Sequence, residues 1–96
     1  MNKYEVMFIV RATMESDQVK KTAESMKTII EDLGSKVIEF KELGEKKLAY
    51  PIKKELNGYY YVMTIEATKE AQAELDRKAG LDENIIRHLI VKLDEE

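Results

Sequence analysis

The sequence predicts an α+β fold with the element order βαββαβ, and three observations carry that prediction. Two stretches place apolar residues at helical spacing and each runs into a glycine; four other segments are dense in β-branched and aromatic residues; and an Asn-Gly pair stands between the second and third of those segments. Helix-period and strand-period segments therefore alternate along one chain.

Tyr4-Glu5-Val6-Met7-Phe8-Ile9-Val10 is rich in β-forming residues and too short for a helix standing alone, so it reads as a buried strand. Ser16 then serves as the expected N-cap beside Glu15 and Asp17, because a side-chain oxygen can satisfy a free amide at a helix start and acidic groups favour that end of the dipole. Val19, Ala23, Met26, Ile30 and Leu33 follow as one stripe, and Gly34 is the expected left-handed stop.

From Ser35 to Ile52 the apolar positions are irregular and Gly44 interrupts them, which predicts a long strand with a bulge or bend. Pro51 lacks an amide donor and assigns that strand to a sheet edge. Asn57-Gly58 is the expected hairpin turn into Tyr59-Tyr60-Tyr61-Val62-Met63-Thr64-Ile65, so the second and third strands pair antiparallel. Thr68 is the expected cap of a second helix, with Ala71, Leu75 and Ala79 on one face and Gly80 as its stop. Ile85-Ile86-Arg87-His88-Leu89-Ile90-Val91 supplies the last strand, and Asp94-Glu95-Glu96 forms an acidic end.

This order reads as the ferredoxin-like plan: a four-stranded antiparallel sheet with two helices on one face and one domain over residues 1–96. One sheet face is then left uncovered. Side-chain alternation turns Tyr4, Val6, Phe8, Val10, Tyr61, Met63, Ile65, His88 and Ile90 toward the helices. Met7, Ile9, Tyr60, Val62, Arg87, Leu89 and Val91 face the other way, an apolar set of the kind that marks interaction surfaces.

Composition narrows the function. Of 96 residues, 44% are apolar and 36% charged, which suits a folded globular chain rather than a disordered one. No apolar run approaches the ~18 residues of a membrane span, and the start lacks a signal-peptide layout, so a cytoplasmic location and no membrane partner are expected. The absence of cysteine removes disulfides, thiolate metal sites and thiol nucleophiles; His88 stands alone and cannot build a His-rich metal shell. No phosphate-cradling glycine motif and no nucleophile–base spacing is present, so no catalytic residue, cofactor, metal or small-molecule substrate is expected. An acyl-phosphate-hydrolase reading would rest on the Arg11-Ala12-Thr13 loop, which offers one arginine. Sixteen basic against nineteen acidic residues give a net charge of −3, so any nucleic-acid contact must be local.

The segment Gly44-Glu45-Lys46-Lys47-Leu48-Ala49-Tyr50-Pro51-Ile52-Lys53 resembles the signature of the family of the sixth protein of the bacterial small ribosomal subunit. Tyr4-Glu5-Val6-Met7, Asn57-Gly58-Tyr59-Tyr60 and Ile86-Arg87-His88-Leu89-Ile90-Val91-Lys92 extend the resemblance over nearly the whole chain. It implies a structural, non-catalytic ribosomal constituent that binds the central domain of 16S ribosomal RNA together with the eighteenth small-subunit protein. Lys46 and Lys47 are the leading expected RNA contacts, with Lys53, Lys54, Arg87, Lys92 and Lys3 behind them. Leu48, Tyr50 and Ile52, with Met7, Ile9, Tyr60, Val62 and Leu89 of the uncovered face, are the expected partner contacts. The competing reading is a small ferredoxin-like ligand-binding or self-associating regulatory module, whose mark would be an enclosed pocket with convergent polar groups.

Overall fold

The computed structural model describes residues 2–52 and 54–93; Lys53 and the acidic end Asp94-Glu95-Glu96 lie outside the described residues. The elements are β1 (Asn2–Arg11), α1 (Ser16–Asp32), β2 (Lys36–Ile52), β3 (Glu55–Ala67), α2 (Lys69–Leu81) and β4 (Ile85–Lys92). The four strands form one antiparallel sheet in the order β2-β3-β1-β4, which with two helices on one face is the ferredoxin-like arrangement. Pro51 lies on an edge strand, where its missing amide costs no ladder bond.

Inward residues of the three strands β1, β3 and β4 meet both helices in one core. Tyr4, Val6, Phe8 and Val10 pack with Met63, Ile65 and Ile85 under Val19, Ala23, Met26 and Ile30 of α1 and Ala71, Leu75 and Ala79 of α2. Phe8 stacks on Tyr61 with ring centroids 5.2 Å apart, and Phe40 closes the group from β2. Each large apolar side chain removed from water in this way contributes about 1.5–3 kcal/mol, which outweighs the modest intrinsic helix preference of the two segments.

Helix ends follow capping chemistry, with three departures from expectation. At α1 the cap position is Glu15, whose side chain makes no cap bond, and Ser16 is already helical. Leu33, expected on the buried stripe, is the C-cap and is exposed, while Gly34 takes φ +76° behind it. The Gly34 amide donates to Glu31 O and the Ser35 amide to Ile30 O, both at 3.1 Å, the paired closure that a left-handed residue permits. Thr68 does cap α2, accepting from the Ala71 amide at 3.1 Å. Gly80 does not stop α2: the helix runs on to Leu81 and ends at Asp82, which is extended.

The hairpin turn is also displaced. Asn57 and Gly58 lie within β3, opposite Lys47 and Lys46, and the chain reverses between the paired Ile52 and Glu55. Lys54 carries the positive φ of that reversal, +68°. Gly58 is needed for another reason: a Cβ there would run into Ile9 Cγ2. The bulge expected at Gly44 is present as a register shift between Glu42 and Gly44, with Gly44 at φ +86°.

Candidate partner and nucleic-acid interface

The last pairing of β1 with β3 joins Arg11 to Gly58, so β2 beyond Lys46 and β3 before Gly58 run on as a two-stranded arm. The arm folds back onto the face opposite the helices. There Leu48 packs on Ile9 and Ile86 in a second buried cluster, flanked by Ile52 and Tyr60. The absent side chain of Gly58 leaves the space that Ile9 and Ile86 occupy. Ile86 reaches this face because it is the extra residue of a bulge: Ile9 pairs with Arg87 but Val10 pairs with Ile85.

Ile9 and Leu48, expected to contact a partner directly, are therefore only 4% and 6% exposed and belong to the chain's own packing. What they support is a concavity of about 280 Å³ lined by Met7, Ile9, Leu48, Ala49, Tyr50, Ile52, Tyr60, Arg87 and Leu89. Seven of the eight expected partner residues thus converge on one groove; Val62, paired with Met7, lies just outside its lining. Tyr50 and Leu89 stand at its lips, 58% and 51% exposed, and Val91 continues the apolar strip along β4.

Polar contacts tie the arm to the body on both of its flanks. Arg87 Nη1 donates to the Tyr50 hydroxyl at 3.0 Å, tying β4 to the arm. Arg11 Nε donates to Thr13 Oγ1 at 3.2 Å, and Thr13 Oγ1 donates to Glu55 Oε1 at 3.1 Å, tying the arm's return strand to the β1–α1 loop. The Lys46 ammonium lies 5.7 Å from the centre of the Tyr60 ring, a cation–π distance.

The expected RNA contacts do not form one patch. Lys46 is on the groove face with Gly58 and Tyr60, whereas Lys47, one residue on, turns to the other face. Lys54 is exposed at the arm's reversal. Arg87 joins Lys46 at the groove, but Lys3 and Lys92 pair with Glu66 and Tyr4 at the far end of the sheet. Lys92, opposite the inward-facing Tyr4, also projects to the helix side.

His88 is part of the scaffold: its Nε2 shares a 2.8 Å hydrogen bond with Asp76 Oδ1 and links β4 to α2. Beside the helices, Tyr59 and Tyr61 line a smaller cavity of about 120 Å³ with Val19 and Gly44. Burial first, then the Glu42 carboxylate and Tyr59, push the Tyr61 phenol above its ordinary ionisation range. Among the described residues no group of acidic or His side chains could hold a metal ion, and no helix is long and apolar enough to cross a membrane, which says nothing of a β-barrel.

Sequence reasoning missed Gly58, Ile86 and the Arg11–Thr13–Glu55 links. Adjacent Ile85 and Ile86 break strict alternation, and that was the available signal for the bulge. The Thr13–Glu55 link joins positions 42 residues apart and carries no local signature.

Comparison with known proteins gives one family and one fold. The family model described as ribosomal protein S6 matches residues 3–92. A crystal structure of 30S ribosomal protein S6 from Thermotoga maritima at 1.70 Å is similar with a TM-score of 0.91 and 28% sequence identity, covering 96% of this chain and 87% of that one.

Proposed function

Because the chain belongs to the ribosomal protein S6 family, we propose that it is a structural constituent of the small ribosomal subunit that binds the central domain of 16S ribosomal RNA together with the eighteenth small-subunit protein. Family membership carries the ribosomal assignment. The observation that supports the finer reading is the groove on the face opposite the helices, apolar along its floor and basic at its lips.

A partner protein suits the floor. Met7, Ile52 and Tyr60, with Leu89 at the lip, present a concave apolar surface that a second chain would remove from water at about 25 cal/mol per Å². RNA suits the lips, where Lys46 and Arg87 would neutralise phosphates while Tyr60 and Tyr50 hold the two cations in place. Phosphate contacts of this kind position a protein without reading bases, so sequence preference would come from the shape of the RNA. Lys54 extends the basic rim. Lys3 and Lys92, at the opposite end of the sheet, are assigned to a separate contact or to solubility. The role is architectural, with binding surfaces in place of a reaction centre.

The test is binding to a 16S central-domain fragment with and without the eighteenth protein. The paired proteins should bind more tightly than either alone, and Leu89→Glu should remove the partner's contribution while the isolated chain still folds. Equal binding by the wild-type pair and the Leu89→Glu pair would remove the groove from this reading.

A further inference from the structure

The two-stranded arm beyond Arg11–Gly58 is attached to the body in a way that separates it from the main core. Among the described residues three are buried at its seat, Leu48 from the arm and Ile9 and Ile86 from the sheet. Ile52 of the arm packs against this seat half-buried, and the polar ties are the Tyr50–Arg87 and Thr13–Glu55 hydrogen bonds with a 3.9 Å Arg11–Glu55 ion pair, the two hydrogen bonds being made at exposed positions where water competes for the same groups. Solvent-open concavities of about 280 Å³ lie on each side of it, one against the β1–α1 loop and one forming the groove, so both flanks of the arm are reached by water. Its own ladder is interrupted, because the register shifts between Lys47 and Ile52. An isolated two-stranded ribbon is at best marginally stable in water. At its base stand the Glu42/Gly44 bulge and the positive φ of Gly44, a joint that needs no broken helix or core strand to bend.

We propose that this arm is a strap that opens and recloses over the sheet as a unit of its own, without unfolding the main core, with Leu48 in its Ile9–Ile86 seat as the clasp. Closed, the strap forms one wall of the groove. Open, it uncovers Ile9 and Ile86, and an apolar side chain of a docking protein can take the seat that Leu48 leaves. That last consequence rests on the reading of the groove as a partner site; the opening itself does not.

Amide hydrogen exchange of the full chain alone, followed by NMR across sub-denaturing urea, tests the strap without RNA or partner. Amides of Lys46, Lys47 and Asn57 should exchange through an opening nearly independent of urea, faster than those of Val6, Phe8 and Met63, which should follow the full urea dependence of global unfolding. Leu48→Ala should speed exchange in the arm by at least about thirtyfold. Ile30→Val, in the main core and mild enough to keep the chain folded, should speed only the core amides, by roughly several-fold. One shared urea dependence for arm and core, or an Ile30→Val variant that speeds both groups equally, overturns the proposal. Because no ligand is present, such a result would leave the ribosomal assignment intact.

Discussion

A methyl group at position 58 has nowhere to go: it would meet Ile9 Cγ2, and behind it stand Val10 O at 3.5 Å and Ile86 Cδ1 at 3.6 Å. Ile9 is β-branched and buried, so its rotamer has little freedom to yield. Gly58→Ala should therefore cost about 1–3 kcal/mol, read as a lower urea midpoint at an unchanged slope. Combining it with Ile9→Ala should cost less than the sum of the two changes, because the second removes the atoms the first strikes. At Tyr61 the same scale of reasoning gives a pH dependence. Its phenol ionises at higher pH in the folded chain than the ~10 of an unfolded one, chiefly because it is buried. Its contribution to stability is complete below about pH 10 and is lost as pH rises through the folded-state value. Urea midpoints measured from pH 8 to 11 should fall for the wild type, and Tyr61→Phe should fall less steeply; equal slopes would show that Tyr61 does not govern the alkaline loss.

Among the elements, the two helices differ in how their starts are held, and the difference is measurable. Thr68→Ala removes a side-chain bond to the Ala71 amide and should cost about 1 kcal/mol. Ser16→Ala removes no cap, since Glu15 occupies that position, and should stay within about 0.5 kcal/mol in the same melts. Both threonine and serine look alike in sequence as N-cap candidates, which explains why one expectation held and the other did not. Periodic features were legible: the Val19–Ile30 and Ala71–Ala79 stripes, the inward set Tyr4–Val10 by alternate residues, and the Gly44 bulge all stand where the pattern puts them. Features set by distant contacts were hidden. Asn57-Gly58 has strong turn propensity, yet Gly58 is fixed by the approach of Ile9 and Ile86 from other strands, and the reversal falls between Ile52 and Glu55 instead. The groove residues could be named by alternation, but not that the arm would bury Leu48 and Ile9 and leave Tyr50 and Leu89 at the lips.

Across the whole molecule, charge has to be judged by position because the total is unfavourable for RNA, with a net −3. Of the expected RNA contacts, Lys46, Lys54 and Arg87 lie around the arm and Lys3 and Lys92 at the opposite end of the sheet. A group that neutralises phosphates releases counterions, so each lost contact changes the slope of log affinity against log salt by about 0.7–0.9. If the groove end faces RNA, Lys46→Ala should make the slope shallower by about that amount and weaken binding in low salt more than in high salt. Lys3→Ala/Lys92→Ala should leave the slope unchanged while moving net charge further, from −3 to −5, two positive charges being removed. That comparison separates local contact from overall attraction, since a response to total charge would make the double variant the weaker binder. The measurement is a salt titration of RNA binding by the paired proteins, with both variants in parallel. A slope that follows Lys3 and Lys92 would move the RNA-facing surface to the other end of the sheet.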